Sequence, residues 1–269
     1  MFHLSVTEHA DPNELARTAA IDFARRLVPR WQDELGAPLL GVYLIGSLAH
    51  GGFNRRYSDV DLAVLTAAGL SQEQFDGLKS AAVAQSEDWG PKVSIFWSDR
   101  RFALGRFPPL DRIDYLDHAV ALMERERLRP PRPTMDEIRQ YLRGATFATW
   151  VDQARSFAGT QTLEPKAHKM YLRTLLYPGR FCYSWMTGRI GSNEDAVAFL
   201  NQRSLAGLDV ILIARALECR EAAADPDVLF PARTALPSQF DACAKLIRPS
   251  RSPGRASSGR SRTARTCRG

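Results

Sequence analysis

Residues 44–65, LIGSLAHGGFNRRYSDVDLAVL, contain the side chains whose types and spacing can do chemistry. An apolar run delivers Gly46 and Ser47 into a loop with Gly51 and Gly52. The chain returns through Ser58 into a second apolar run that opens Asp59-Val60-Asp61. Side chains alternate along a strand, so Asp59 and Asp61 project on one face while Val60, Leu62 and Val64 project on the other. Two carboxylates so placed repel each other and lose hydration on burial unless a counter-charge joins them. A hard cation such as Mg²⁺ supplies it, because it takes one or two carboxylates together with phosphate oxygens. Gly46 lets backbone N–H groups approach a phosphate, and the Ser47 hydroxyl can donate to it. A phosphate cradle beside metal carboxylates is the equipment of phosphoryl or nucleotidyl transfer. Each half alone is common turn chemistry; the order and the strand context make the pair specific.

Competing phosphate motifs fail. GVYLIGS has the glycine spacing of a P-loop, but Ser47 stands where that motif needs Lys. No GxGxxG occurs, which removes the dinucleotide fingerprint.

With those residues in view, the stretch resembles the signature of the DNA polymerase β-like nucleotidyltransferase superfamily: Gly-Ser, a loop of about ten residues, then Asp-x-Asp and an aliphatic strand. It is most similar to the streptomycin/spectinomycin-type aminoglycoside nucleotidyltransferases and their small bacterial relatives. Residues 171–200, YLRTLLYPGRFCYSWMTGRIGSNEDAVAFL, are similar to the segment of those enzymes in which a long helix ends in a Thr-Gly-Lys/Arg-Ile turn. The resemblance implies nucleotide binding by Gly46 and Ser47, with Ser58 beside them, and Mg²⁺ held by Asp59 and Asp61. It implies ATP as nucleotide substrate and a hydroxylated small-molecule acceptor. The family also carries a third carboxylate on a later strand, which ligates metal or accepts the acceptor's proton. The corresponding strand is KVSIFWSDRR, with Ser94 at that position. Asp99, or Glu87 and Asp88, is expected to substitute from a loop, and Asp99 is taken as the catalytic carboxylate. Enzymes that bind polycationic aminoglycosides line the cleft with acids, whereas LEPKAHKMYLR is richer in Lys and His, which weighs against an antibiotic acceptor.

The elements that must position these residues follow from periodicity. DPNELARTAAIDFARRLVPRW reads as a helix, with Asp11 as N-cap, Pro12 at the first position and Leu15, Ala19, Phe23 and Leu27 on one face. Pro29 is expected to kink or end it. Strands are expected at 39–45, 60–65 and 92–97, with a helix over SQEQFDGLKSAAVAQ. RPPRP (129–133) breaks the pattern, and Thr134-Met-Asp-Glu137 opens a helix with a capping box. Helices are then expected at 134–158, 163–187, 192–204, 207–224 and near 238–247, with Gly188 as a stop, Ser192 as an N-cap and a bend at Pro178. The expected organisation is an α+β nucleotidyltransferase domain (1–128) with a mixed sheet, a Pro-rich hinge (129–133), an all-helical substrate-side domain (134–247) and a disordered Arg/Ser/Gly tail (248–269).

The chain has 269 residues, of which 45% are hydrophobic and 25% charged, an ordinary globular balance. Its net charge of +6 invites a nucleic-acid reading. Yet the last 22 residues hold seven arginines and no acid, so the rest carries a formal charge of −1. That tail has no aromatic residue to stack on bases, which weighs against a nucleic-acid partner. No apolar run approaches the ~20 residues of a spanning helix, and the N-terminus reads as lacking a signal peptide. Cys182, Cys219, Cys243 and Cys267 form no CxxC pair. They are expected to be reduced thiols without a zinc site or disulfide, in a cytoplasmic protein.

Other residues rank lower. Arg55, Arg56, Arg100 and Arg101 read as solvated charge first and triphosphate contacts second. His50 sits within the signature loop; His3, His9, His118 and His168 lack ligand spacing. Trp150, Tyr171, Tyr183 and Trp185 read as core before a base-stacking platform, and Asp111, Asp114 and Asp117 as a solvated helix face before a lining for the substrate side of a cleft. The activity expected is Mg²⁺-dependent transfer of NMP, AMP from ATP, to a small-molecule hydroxyl. The alternative is a catalytically weak regulatory module, antitoxin-like or nucleotide-sensing, which Ser94 favours; a polymerase-like activity rests on the tail alone.

Overall fold

The computed structural model describes residues 11–247. The expectations for the histidines at 3 and 9, for Cys267 and for the tail lie outside them.

Helix α1 (Pro12–Leu35) begins where Asp11 accepts from the Asn13 N–H at 3.0 Å. It does not stop at Pro29. Beyond it, Trp31 and Leu35 are buried and the Trp31 indole donates to the Leu78 carbonyl at 3.2 Å. Burying those side chains outweighs the ~3 kcal/mol cost of an internal proline. The buried stripe is Ala20, Phe23, Ala24, Leu27, Val28, Trp31 and Leu35; Leu15 and Ala19, expected on it, are exposed.

The strands are β1 (Leu39–Ile45), β2 (Val60–Thr66), β3 (Val93–Asp99), β4 (Gly105–Arg106) and β5 (Val120–Glu124). They form one sheet in the order β4-β3-β2-β1-β5. β1 runs antiparallel to β2 and β5, whereas β2 and β3 are parallel. That parallel pair needs a crossover, supplied by α3 (Gln72–Gln85), whose start is fixed by a Ser71–Gln74 capping box. The turn α2 (Ser47–His50) follows β1, and α4 (Pro109–His118) precedes β5. Strand alternation sets two layers. Val42, Leu44, Val60, Leu62 and Val64 pack toward α1 and α3. Tyr43, Ile45, Ala63 and Leu65 pack toward Tyr115 on α4.

After the Pro-rich stretch the described chain is helical: α5 (Met135–Leu142), α6 (Ala145–Gly159), α7 (His168–Thr187), α8 (Asn193–Asn201), α9 (Val210–Glu221) and α10 (Leu236–Ile247). The single helix expected over 134–158 breaks at Arg143-Gly144, where glycine destabilises a helix interior. α7 runs through Pro178, which is buried, and ends at Gly188 in the left-handed conformation. Capping boxes open α5 at Thr134 and α8 at Ser192. These helices share a core around Phe147, Tyr171, Leu175, Phe181 and Phe240, which Tyr57 and Ile113 from the sheet half join. No helix among the described residues is long and apolar enough to cross a membrane.

Candidate active site

β1 ends by delivering Gly46 with φ of +66°, a conformation open to glycine. A Cβ there would also collide with the Asp61 carboxylate. Register places Ile45 opposite Asp61, so the turn after β1 lies directly over the first acidic residue of β2. Asp59 sits one residue before β2 rather than within it, and both carboxylates open onto the same cavity. That cavity, about 520 Å³, separates the sheet half from the helical half. Its size falls within the ~300–1,000 Å³ of small-molecule sites.

α4 contributes two more acids. Asp114 is 1% exposed and accepts the Gly46 N–H at 2.6 Å, which ties α4 to the turn. Its Oδ1 is buried without a partner. Asp111, one helical turn earlier, also lines the cavity. Burial first, then Asp59 and Asp114, raises the Asp61 carboxyl to about 7; Arg173 and Ser94 pull it back toward its ordinary value. Burial first, then Asp114 and Asp61, raises Asp111 to about 7 as well. Asp114 is raised chiefly by burial, against the opposing influence of His50. Four carboxylates facing one space, one with an orphaned oxygen, suit a hard divalent cation.

The opposite wall is cationic. Lys169, Arg173 and Arg180 lie on one face of α7, and all three line the cavity. Lys169 Nζ donates to Asp59 Oδ1 at 2.5 Å, and Arg173 Nη1 lies 4.0 Å from Asp59 Oδ2. The Arg173 guanidinium also stands 5.8 Å from the Trp150 ring centre, and Trp150 stacks on Tyr177 at 4.6 Å. Both rings line the cavity, so Trp150 belongs to the cleft wall as well as to the edge of the core.

The remaining candidates divide. Ser47 and Ser58 pair through their hydroxyls at 3.1 Å. Ser58, 4% exposed, also accepts from the Asn54 N–H (2.9 Å) and Arg220 Nη2 (3.1 Å), so it braces the loop. His50 lines the cavity 5.7 Å from the His118 ring, and burial holds its pKa below the ordinary value. Ser94 lies beside Asp61 in the β2–β3 register, at the cavity.

Asp99 is not brought to the cavity. It ends β3 five residues beyond Ser94, roughly 16 Å along the strand, and accepts from the Ala103 and Leu104 N–H groups at 2.7 and 2.9 Å. Those bonds hold its pKa below the ordinary value and give it a turn-closing role. Glu87 and Asp88 are exposed, and Asp88 lines a separate depression with Arg55 and Arg56. Arg56 donates to the Ala223 carbonyl at 3.0 Å, and Arg100 pairs with Glu126.

Sequence reasoning ranked Asp111 and Asp114 as solvated first and cleft-lining second, and gave no role to Asn54, Lys169, Arg173, Arg180 or Arg220. A usable signal was present in the Lys/Arg spacing 169, 173, 180, which repeats on one helical face.

The mixed sheet, the crossover helix and the helical second half make an α+β fold. A solved structure, the spectinomycin adenyltransferase AAD(9) from Enterococcus faecialis with ATP and spectinomycin, matches 84% of this chain and 99% of its own, with a TM-score of 0.61 and 12% identity. No family model matches the chain. No curated protein matches it either.

Proposed function

We propose that the protein is a Mg²⁺-dependent nucleotidyltransferase that moves AMP from ATP to a hydroxyl of a small-molecule acceptor. The observation that carries this reading is the facing of two charged walls across one cavity. Asp59, Asp61, Asp111 and Asp114 stand on one side, and Lys169, Arg173 and Arg180 on the other. A nucleoside triphosphate with its cation complements both walls at once. The structural neighbour was solved with ATP and spectinomycin, which agrees with a nucleotide and a small acceptor sharing one cleft.

Asp59 and Asp61 would hold Mg²⁺, with Asp111 in place of the carboxylate that Ser94 lacks. The cation, when bound, would stabilise charge on the triphosphate and lower the pKa of an oxygen it contacts. Lys169, which donates to Asp59, would have to release it for this, and its ammonium would then be available to phosphate. Arg173 and Arg180 orient the triphosphate and offset the charge that builds on departing pyrophosphate. Asp111 lines the cavity, and burial with Asp114 and Asp61 raises its carboxyl to about 7. It is the group proposed to take the acceptor's proton. Tyr141, Trp150, Tyr177 and Arg106 also line the cavity and are proposed to meet the acceptor. They favour a neutral or anionic acceptor with a flat apolar face over a polycation.

A regulatory module that binds nucleotide without transfer is the second reading, favoured by Ser94 beside Asp61. Pyrophosphate release separates the two. Mg·ATP with a panel of hydroxylated small molecules should yield pyrophosphate only when an acceptor is present. Binding of Mg·ATP with no release for any acceptor favours the regulator.

A further inference from the structure

Away from the cleft, His168 opens α7 and faces the Asp225-Pro226-Asp227 corner that starts the 3-10 segment Pro226–Ala235. The imidazole is only 5% exposed, yet neither ring nitrogen has a hydrogen-bond partner. Buried polar atoms are rarely left so, because losing water without a replacement is costly. Nε2 points between two carboxylates: Asp225 Oδ1 lies at 3.8 Å and Asp227 Oδ1 at 3.6 Å. Both separations are too long for a hydrogen bond. One ligand oxygen or nitrogen from each of the three residues lies within 4.8 Å of the others. Ligands ~2.0–2.2 Å from a tetrahedral ion stand about 3.4 Å apart, so a small inward movement of the exposed carboxylates closes the set. Asp225 Oδ1 also accepts the Asp227 N–H at 3.1 Å, which orients that carboxylate toward the imidazole side of the corner while leaving it exposed.

We infer that His168, Asp225 and Asp227 form a second cation site, distinct from the cleft, that takes Zn²⁺ or a similar divalent transition metal. Imidazole nitrogen with two carboxylates matches that class, while Mg²⁺ and Ca²⁺ favour all-oxygen sets. Water completes the coordination on the exposed side. The role is structural: the ion pins the corner after α9 to the first residue of α7, immediately before Lys169. The set uses no cysteine, so cysteine spacing in the sequence gives no hint of it.

The test uses the full chain, stripped with EDTA, in the Asp59→Asn/Asp61→Asn background, which removes the two carboxylates proposed to hold the cleft cation. Calorimetric titration with ZnCl₂ should show one ion per chain and a raised Tm, with MgCl₂ producing neither. Asp225→Asn/Asp227→Asn, at exposed positions that leave the core intact, should weaken zinc more than about tenfold, as should His168→Gln. Cobalt in place of zinc should give a spectrum without a thiolate charge-transfer band. No zinc response, an undiminished response in the Asp225/Asp227 variant, or a thiolate band would each overturn the site. None of these outcomes depends on whether the cleft binds nucleotide or transfers it.

Discussion

Asp61 is where the proposed chemistry and the stability of the protein meet. Its carboxyl is raised from 3.8 to about 7, chiefly by burial and then by Asp59 and Asp114. The folded state therefore holds a proton that the unfolded chain gives up near pH 4. The stability this contributes is complete below that pH and is lost as pH climbs through about 7. Metal-free protein should melt at a lower temperature at about pH 8 than at about pH 5, with Asp61→Asn flattening the slope and Mg²⁺ doing the same. An identical slope in Asp61→Asn would show that this carboxyl is not the group responsible. Asp111 and Asp99 make a contrasting pair. Asp111→Asn should lower turnover by ~10²–10⁴ with Mg·ATP affinity nearly unchanged. Asp99→Asn should cost about 1 kcal/mol of stability through its turn bonds and leave turnover intact. Steady-state rates and melts on both variants check this, and loss of turnover in Asp99→Asn alone would reverse the assignment. Gly46, Ser47, Asp59 and Asp61 were legible in the sequence because their meaning lies in spacing along one strand–loop–strand. The α4 acids were not, because docking decides which helix face is wet. Asp114 is 1% exposed on the Gly46 turn, while Asp117 is exposed and pairs with Arg132.

At the scale of elements, α7 matters most for the site, since Lys169, Arg173 and Arg180 all come from it. Lys169 Nζ donates to Asp59 Oδ1, so in the proposed site its ammonium and a cation would compete for that carboxylate. Lys169→Ala should therefore tighten Mg²⁺ alone and weaken ATP, each by roughly tenfold, or about 1.4 kcal/mol. Calorimetry with the metal and the nucleotide separately measures both signs; weaker Mg²⁺ binding would mean that Lys169 shapes the carboxylates rather than competing with cations. Arg173→Ala should weaken ATP without improving Mg²⁺. Helix starts were read correctly at Asp11, Thr134 and Ser192 because capping is local chemistry. Proline was over-read as a stop at 29, where burial on the far side carries the helix through. The break at Gly144 went unread because a single glycine is a weak stop without its tertiary setting.

Across the whole molecule, the signature loop is clamped to the helical half. Asn54 Nδ2 donates to the Arg220 carbonyl at 2.7 Å, and the Tyr57 hydroxyl donates to that of Ala224 at 3.2 Å. The cleft is thus a property of both halves, and the proposed transfer depends on the two charged walls acting on one substrate. Incubation with α-labelled ATP, Mg²⁺ and a panel of neutral and anionic hydroxylated acceptors tests that directly. Wild type should pass label to a small molecule only with Mg²⁺ present, and Asp59→Asn/Asp61→Asn should pass none. Label that never leaves ATP in wild type with any acceptor, or that transfers equally well in the double variant, would contradict it.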